Sequence, residues 1–304
     1  EFSMSNFTSV SEAFLVPVTK REDGPPGALV GGVYDQQGQF VEESAFYRTG
    51  VKMVYSQPLD TNGVTDKIDF PVMFGGYSYS HFGHFLLESI SRLHVAREFP
   101  DLPIVWLKDP HLKGWQKLIC QTLKLRNEHI FLSNPVRVPN LILGDCGFSI
   151  RSFFKSYHAE FLGQYSAKTV PGRKIWLSRS KLAEKHGGIE NDLEIESLLI
   201  EQGWDIFHSQ EHSVDRQLEV LATAERIAGF EGSAFHLLIL LKDVSAKVDI
   251  FPRGPSINPN YEIISKTKGF DQEIHFVEMK KISGSGSYSR YIVNDPAELY
   301  SRLF

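Results

Sequence analysis

The sequence predicts an α/β protein built from two Rossmann-like domains that face each other across a cleft. Three observations lead there. Short apolar runs of strand character alternate with amphipathic helical stretches, the arrangement that gives a parallel sheet with right-handed crossovers. That alternation occurs twice, with a break near residues 160–172. The composition is that of an ordinary globular chain: of 304 residues, 42% are hydrophobic and 23% charged, and 2 are Cys, far from disordered, collagen-like or disulfide-scaffold compositions. The expected boundaries are 4–165 for an N-terminal domain, 166–290 for a C-terminal domain and 291–304 for a closing helix that packs back on the first domain.

The residues Glu1-Phe2-Ser3 ahead of Met4 read as a cloning remnant. Up to residue 70, short alternating runs (ALVGGVY, QFVEESAFY, KMVYS) are mixed with the turn formers DGPPG and DTNG, as in short strands and hairpins. From His84 the apolar positions Phe85, Leu86, Ile90, Leu93 and Val95 recur at mostly three- and four-residue steps, which predicts a helix closed by FPDLP before a strand at PIVWL (103–107). WQKLICQTLKLR (115–126) is a second helix, followed by strand-like HIFLS and LILG. The alternation resumes at RKIWLSRS (173–180), with KIWL a buried strand. NDLEIESLLIEQ (191–202) sets Leu193, Ile195, Leu198 and Leu199 near one helix face and stops at Gly203. WDIFH, DRQLEVLATA, RIAGF, SAFHLLILLKD and KVDIFP continue as strand, helix, strand, helix and strand. SGSGS (283–287) reads as a mobile loop and DPAELYSRLF (295–304) as the closing helix.

Charge and hydropathy exclude several classes. Lys and Arg number 32 against 37 Asp and Glu, a net charge of −5, so the chain lacks the basic excess that binding a long nucleic acid requires. The longest apolar run, at 235–241, stops at Lys242, well short of the ~20 residues of a membrane-spanning helix. The first residues have neither a basic nor a long apolar segment of the signal-peptide kind. Cys120 and Cys146 show no metal-ligand spacing and read as small buried residues in a reducing compartment. A cytoplasmic setting is expected.

Four segments carry the candidate chemistry. In RIAGFEGSAFHLLILL (226–241) an apolar strand runs through Gly229 into Glu231-Gly232-Ser233-Ala234 and an apolar helix. Two glycines and the free amides of a first helical turn suit an anionic group such as a diphosphate, with Ser233 as the N-cap; the alternative is an ordinary capped turn. A Walker A loop is excluded, since no GKS or GKT follows. KIWLSRSK (174–181) delivers Ser178, Arg179, Ser180 and Lys181 to the end of a buried strand, where the planar guanidinium suits phosphate, or where the residues form a solvated basic turn. GGYSYSHFGHFLLESISRL (75–93) leads from Gly76 through Tyr77, Tyr79 and Phe82 into a helix with His81, His84 and Glu88. His84 and Glu88 are four apart and share a face, so a carboxylate can orient a histidine base; the alternative is a structural histidine. FPRGPSINPNYEIIS (251–265) follows a strand and offers Arg253, Asn260 and Tyr261 in a rigid loop. No DxD metal motif follows a strand, and Glu190 and Asp192 read as capping residues.

Taken together, these segments resemble glycosyltransferase family 61. The family pattern is matched by His84-Phe85-Leu86-Leu87-Glu88, by Ser178-Arg179, by Ile189-Glu190-Asn191-Asp192, by Gly229 to Ala234, and by Pro252 with Asn260-Tyr261, in order across roughly residues 28–270. Glu231 stands where the family has His. The resemblance implies a GT-B fold, a nucleotide-sugar donor (a UDP-sugar first) on the C-terminal domain, an acceptor on the N-terminal domain, and inversion without an obligatory metal or other cofactor. It implies a catalytic His84 or His81 assisted by Glu88. The donor would be held by Ser178, Arg179, Lys181, Glu231, Gly232, Ser233 and Ala234, with Arg253, Asn260 and Tyr261 on the base or ribose. Gly76, Tyr77, Tyr79 and Phe82 would meet the acceptor, a glycan or lipid-linked saccharide of capsule or cell-surface polysaccharide synthesis. Peripheral inner-membrane association and homo-oligomer formation stay open. The rival readings are a pyruvyl or sugar-phosphate transferase on the same scaffold, and a non-catalytic glycan-binding subunit of a capsule assembly complex.

Overall fold

The computed structural model describes residues 6–55 and 57–304, so the reading of Glu1-Phe2-Ser3 falls outside the described residues. The chain is a mixed α/β protein with several sheets, and it divides into two compact units between Leu162 and Gly163.

The first unit runs through strands β1 (Phe7–Lys20), β2 (Leu29–Tyr34), β3 (Tyr47–Arg48), β4 (Val51–Lys52), β5 (Val54–Tyr55), β6 (Asp66–Lys67) and β7 (Val72–Gly76). Helix α1 (Phe82–His84), β8 (Ile104–Trp106), α2 (Gly114–Thr122), β9 (His129–Phe131), β10 (Val136–Gly144), β11 (Phe148–Ser149), β12 (Phe153–Phe154) and α3 (Ser156–Leu162) follow. Its main sheet has the order β5-β2-β1-β10-β7-β8-β9, with β6 also on β10. Strand β1 is antiparallel to both β2 and β10, whereas β10, β7, β8 and β9 are mutually parallel. The sheet is therefore mixed. The short DGPPG connection returns the chain directly beside β1, and a short return can only pair antiparallel. The core gathers Leu15, Val33, Phe74, Val105, Leu107 and Leu141.

The long helix expected from His84 is broken into α1, a π-helical turn over Phe85–Ser89 and a 3-10 turn over Leu93–Arg97. Nearly every residue of this stretch is buried, polar ones included. Ser89 Oγ donates to Tyr77 O and accepts from Tyr79 N, each at 2.8 Å, and Arg92 reaches the carbonyls of Gly144 and Ala45 at 2.6 and 2.8 Å. Side chains tied to the surrounding loops override a single helical period.

The second unit contains β13 (Lys174–Leu177), β14 (Gly188–Ile189), α4 (Asp192–Glu201), β15 (Trp204–Phe207), α5 (Val214–Thr223), β16 (Arg226–Phe230) and β17 (Lys247–Phe251). Then come α6 (Asn260–Lys268), β18 (Gln272–Ile274), β19 (Met279–Ser283), β20 (Arg290–Val293) and α7 (Pro296–Ser301). Five strands form an all-parallel sheet in the order β15-β13-β16-β17-β18. The first strand of the set lies between the second and the third, which makes the gap between β13 and β16 the point where the winding reverses. Strands β14, β20 and β19 form a separate small sheet. The buried runs KIWL and RIAGF supply strands covered on both faces, as parallel sheets require. Ser213 caps α5 by accepting from Arg216 N, and Asp295 caps α7 with Pro296 in the first turn.

The closing helix places Leu299 and Leu303 with Trp176, Ile195, Leu199 and Trp204 in the second unit's own core. Two expectations need correction here. On α4, Leu193 is 67% exposed while Glu196 is buried, because the hydroxyls of Ser178 and Ser180 bind the Glu196 carboxylate and turn that face inward. The apolar stretch after Gly232 is a 3-10 helix over Ser233–Leu240, buried from Phe235 onward. With apolar residues on every side, it has no face that packing must choose. Among the described residues, no helix is long and apolar enough to cross a membrane.

Candidate functional site

In the first unit, β7 ends at Gly76, whose φ of +105° requires glycine. The chain then turns through Tyr77 to His81, which caps α1: its Nδ1 lies 3.5 Å from the donating His84 N. His84 Nδ1 stands 2.7 Å from Glu88 Oε2, so the two expected residues meet across the start of the π-helical turn. Arg48, absent from the expected set, closes the cluster. Its Nε donates to Glu88 Oε1 and its Nη2 to Oε2, both at 2.7 Å, and Nη2 is 3.3 Å from His84 Nδ1. Burial pushes the Glu88 carboxyl up, but hydrogen bonds from Arg48 and His84 outweigh it and hold the group below its ordinary value. An ionised Glu88 favours the His84 tautomer that carries its proton on Nδ1, the form in which Nε2 can accept a proton.

The expected acceptor surface is largely occupied by the protein itself. Tyr77 is buried and donates to Ser44 O at 3.1 Å, so its ring is no stacking platform. The Tyr79 ring is half-buried and carries the Arg48 guanidinium at 5.3 Å and Lys108 Nζ at 4.9 Å. Phe82 packs on Trp115 with ring centres 5.2 Å apart, and Gly76 is covered.

In the second unit, Leu177 delivers Ser178-Arg179 and Phe230 delivers Glu231-Gly232, at the carboxyl ends of the neighbouring strands β13 and β16. These are the two strands at the reversal point, where open α/β sheets bind ligands. A Cβ on Gly229 would stand 2.9 Å from Leu177 O, so glycine there lets the strands close up. A Cβ on Gly232 would stand 2.7 Å from Arg179 Nη1. Arg253, after β17, joins them: its Nε donates to Glu231 O at 3.1 Å and its Nη1 reaches His186 O and Ser287 O, each at 3.4 Å. Arg179 Nη2 donates to the same His186 O at 3.2 Å, while its Nε is buried without a partner. Among the described residues, the hydrogen bonds of both guanidiniums thus end on carbonyl oxygens, not carboxylates. Burial, then repulsion from Arg253, lowers the Arg179 value to about 10. The Glu231 carboxylate, which accepts from Arg253 N at 3.4 Å, and Asp192 offset part of this positive charge, while the two adjacent guanidiniums suit an anion with several oxygens. Tyr261 is buried nearby, its phenol pushed up by burial and then by the charge of Glu231.

Other expected donor contacts sit elsewhere. Ser178 Oγ donates to Glu196 and lies 2.9 Å from Ser180 Oγ, so it faces the interior. Lys181 is paired with Glu211 at 3.0 and 3.2 Å. Gly232, not Ser233, occupies the N-cap position, with no side-chain cap, and Ser233 and Ala234 are half-buried in the turn after it. Asn260 opens α6 as a buried residue. Glu190 does not cap α4; it pairs with Arg290 at 2.6 Å, and Asp192 lies in the first turn of the helix.

One trio among the described residues, Asp249, Glu273 and His275, has ligand spacing. Asp249 is already bound by Arg226 at 2.5 Å and His275 at 2.8 Å, with Lys247 at 4.0 Å. Arg226 also donates to Leu303 O and anchors the C-terminal turn. Positive groups take the place that a cation would need, and the cluster is an ion-pair network around the buried Asp249.

The sequence model of the family described as Glycosyltransferase 61 matches residues 82–248, more than half of the chain. The chain belongs to this family, and sugar transfer is its class of activity. The matched stretch includes His84, Glu88, Arg179 and Gly232, whereas Arg48 and Arg253 lie outside it. No curated protein matches the chain.

Proposed function

We propose that the protein is a metal-independent, inverting glycosyltransferase whose two units are the halves of a GT-B enzyme. The second unit takes a nucleoside-diphosphate sugar, a UDP-sugar first, with the diphosphate on Arg179, Arg253 and the Gly232 backbone. The first unit holds a hydroxyl of a glycan or lipid-linked saccharide at His84. In one step His84 Nε2 accepts the hydroxyl proton, the acceptor oxygen bonds to the anomeric carbon, and the bond from that carbon to the diphosphate oxygen breaks. The electron pair leaves with the nucleoside diphosphate, whose charge the two guanidiniums stabilise. Attack opposite the leaving group inverts the anomeric carbon. Cell-surface polysaccharide synthesis on the cytoplasmic side is the setting proposed for this reaction.

The observation that carries this reading is the pair of guanidiniums, hydrogen-bonded to carbonyl oxygens and not to carboxylates among the described residues, at the reversal point of the parallel sheet. The test measures nucleotide release from a panel of nucleotide-sugars with glycan acceptors for the wild type, His84→Ala and Arg179→Ala. Turnover by the wild type that falls at least about a hundredfold in each folded variant supports it. Wild-type turnover in both variants rejects it.

A further inference from the structure

The geometry points to Arg48 as the positioning residue of the catalytic pair: it orients the Glu88 carboxylate and, through it, the ring of His84. This assignment rests on the reading of His84 as the base, and it goes beyond the family match, which begins 34 residues later than Arg48, at Phe82.

Glu88 has a side chain only 5% exposed and Arg48 one 19% exposed. Two parallel hydrogen bonds of 2.7 Å fix the plane of the carboxylate, which a single bond would leave free to rotate. Oε2 then accepts from Arg48 Nη2 and stands 2.7 Å from His84 Nδ1, so the position of the imidazole depends on that of the guanidinium.

Arg48 is itself held in place by a tight hairpin, two aromatic rings and a glycine. Strands β3 and β4 pair Arg48 with Val51 around Thr49 and Gly50, both at positive φ, the left-handed two-residue turn of a tight hairpin. The hairpin is docked by a bridge from Arg48 to Ile150 and by Ser149 Oγ donating to Tyr47 O at 3.2 Å. The guanidinium lies 5.6 Å from the Phe46 ring and 5.3 Å from the Tyr79 ring. Gly27, at φ +84°, leaves room for it: a Cβ there would stand 2.5 Å from Arg48 Nη1. The other polar and charged groups around the pair are Tyr79 and His81 beside His84, Lys108 across the Tyr79 ring, and Ser91 and Arg92, which line one small cavity with Glu88. Arg48 is the cation that donates to both oxygens of the Glu88 carboxylate.

The test uses the full chain, as wild type, Arg48→Gln and Arg48→Lys. Long-range proton–nitrogen NMR reads the tautomer of His84, identified by loss of its signals in His84→Gln. The wild type should show the proton on Nδ1. Arg48→Gln should show a mixture of tautomers, and Arg48→Lys, which restores charge without the fork, a partial return. In nucleotide-release assays Arg48→Gln should lower kcat about tenfold or more with KM changed less than about twofold, and the acidic limb of the pH profile should move upward. Retention of the wild-type tautomer in Arg48→Gln overturns the proposal. If Arg48→Gln does not fold, Arg48→Lys decides: a wild-type tautomer and kcat there overturn it, and a mixed tautomer supports it. If the wild type transfers no sugar at all, the functional reading fails, while the NMR result still decides what Arg48 does to His84.

Discussion

Arg179 lies against the backbone of Gly232 so closely that a methyl group on Gly232 would stand 2.7 Å from Nη1. The φ of Gly232 is −178°, extended backbone open to any residue. The obstacle is the end of a flexible side chain. Gly232→Ala should therefore fold with an almost unchanged melting temperature and displace the guanidinium. UDP affinity, measured by calorimetry, should fall about tenfold, since displacing one charge-assisted contact costs ~1.5 kcal/mol or more.

Gly229→Ala should behave in the opposite way. Its Cβ would meet Leu177 O at 2.9 Å, Leu177 Cβ at 3.2 Å and Phe235 Cζ at 3.3 Å. A strand backbone cannot yield as an arginine tip can. A loss of about 1–3 kcal/mol in urea unfolding is expected.

Arg253→Gln separates binding from stability. The native charge raises the cost of the neighbouring Arg179 charge, so removing it should leave the melting temperature unchanged or raise it. The same substitution should weaken UDP binding and flatten its salt dependence. A variant that loses stability and keeps affinity would place Arg253 in the scaffold instead.

Asp192 predicts a pH effect. Burial, then the charge of Glu196, raises its carboxyl from 3.8 to about 6. Between those values the unfolded chain releases a proton that the folded chain keeps, so stability falls as pH rises through the window. Asp192→Asn lacks this term. Melting curves at pH 7 should show the variant more stable than the wild type, with the difference shrinking towards pH 4.

Glu88 carries the reverse sign. Its carboxyl is held below its ordinary value in the fold, so its contribution is present above the ordinary carboxylate range and is lost as pH falls through the folded value. Glu88→Ala leaves Arg48 without its counter-charge and should cost about 3 kcal/mol in urea unfolding. Glu88→Gln should cost less.

Much of the second unit was legible because fully buried strands such as KIWL and RIAGF have a distinct pattern and end in recognisable turns. The contact of His84 with Glu88 was legible from spacing alone. Spacing gives a side chain's place along an element, not its partner. Lys181 follows the same strand as Arg179 but pairs with Glu211, and Ser178 turns inward to Glu196. Tyr77 lies in the aromatic turn as read, yet its hydroxyl is taken by Ser44 O. Arg48 gave no local signal, since a strand of two residues has no periodicity and its partner is 40 positions away.

A nucleoside diphosphate held at the reversal point between β13 and β16 is the centre of the proposed function. Calorimetric titration of UDP, GDP and CMP into the wild type and an Arg179→Ala/Arg253→Gln double variant tests it most directly. Saturable binding of a nucleotide, UDP first, is expected for the wild type, with loss of that binding in a double variant that still melts cooperatively. Equal affinity in both proteins, or no nucleotide bound by the wild type, would contradict it.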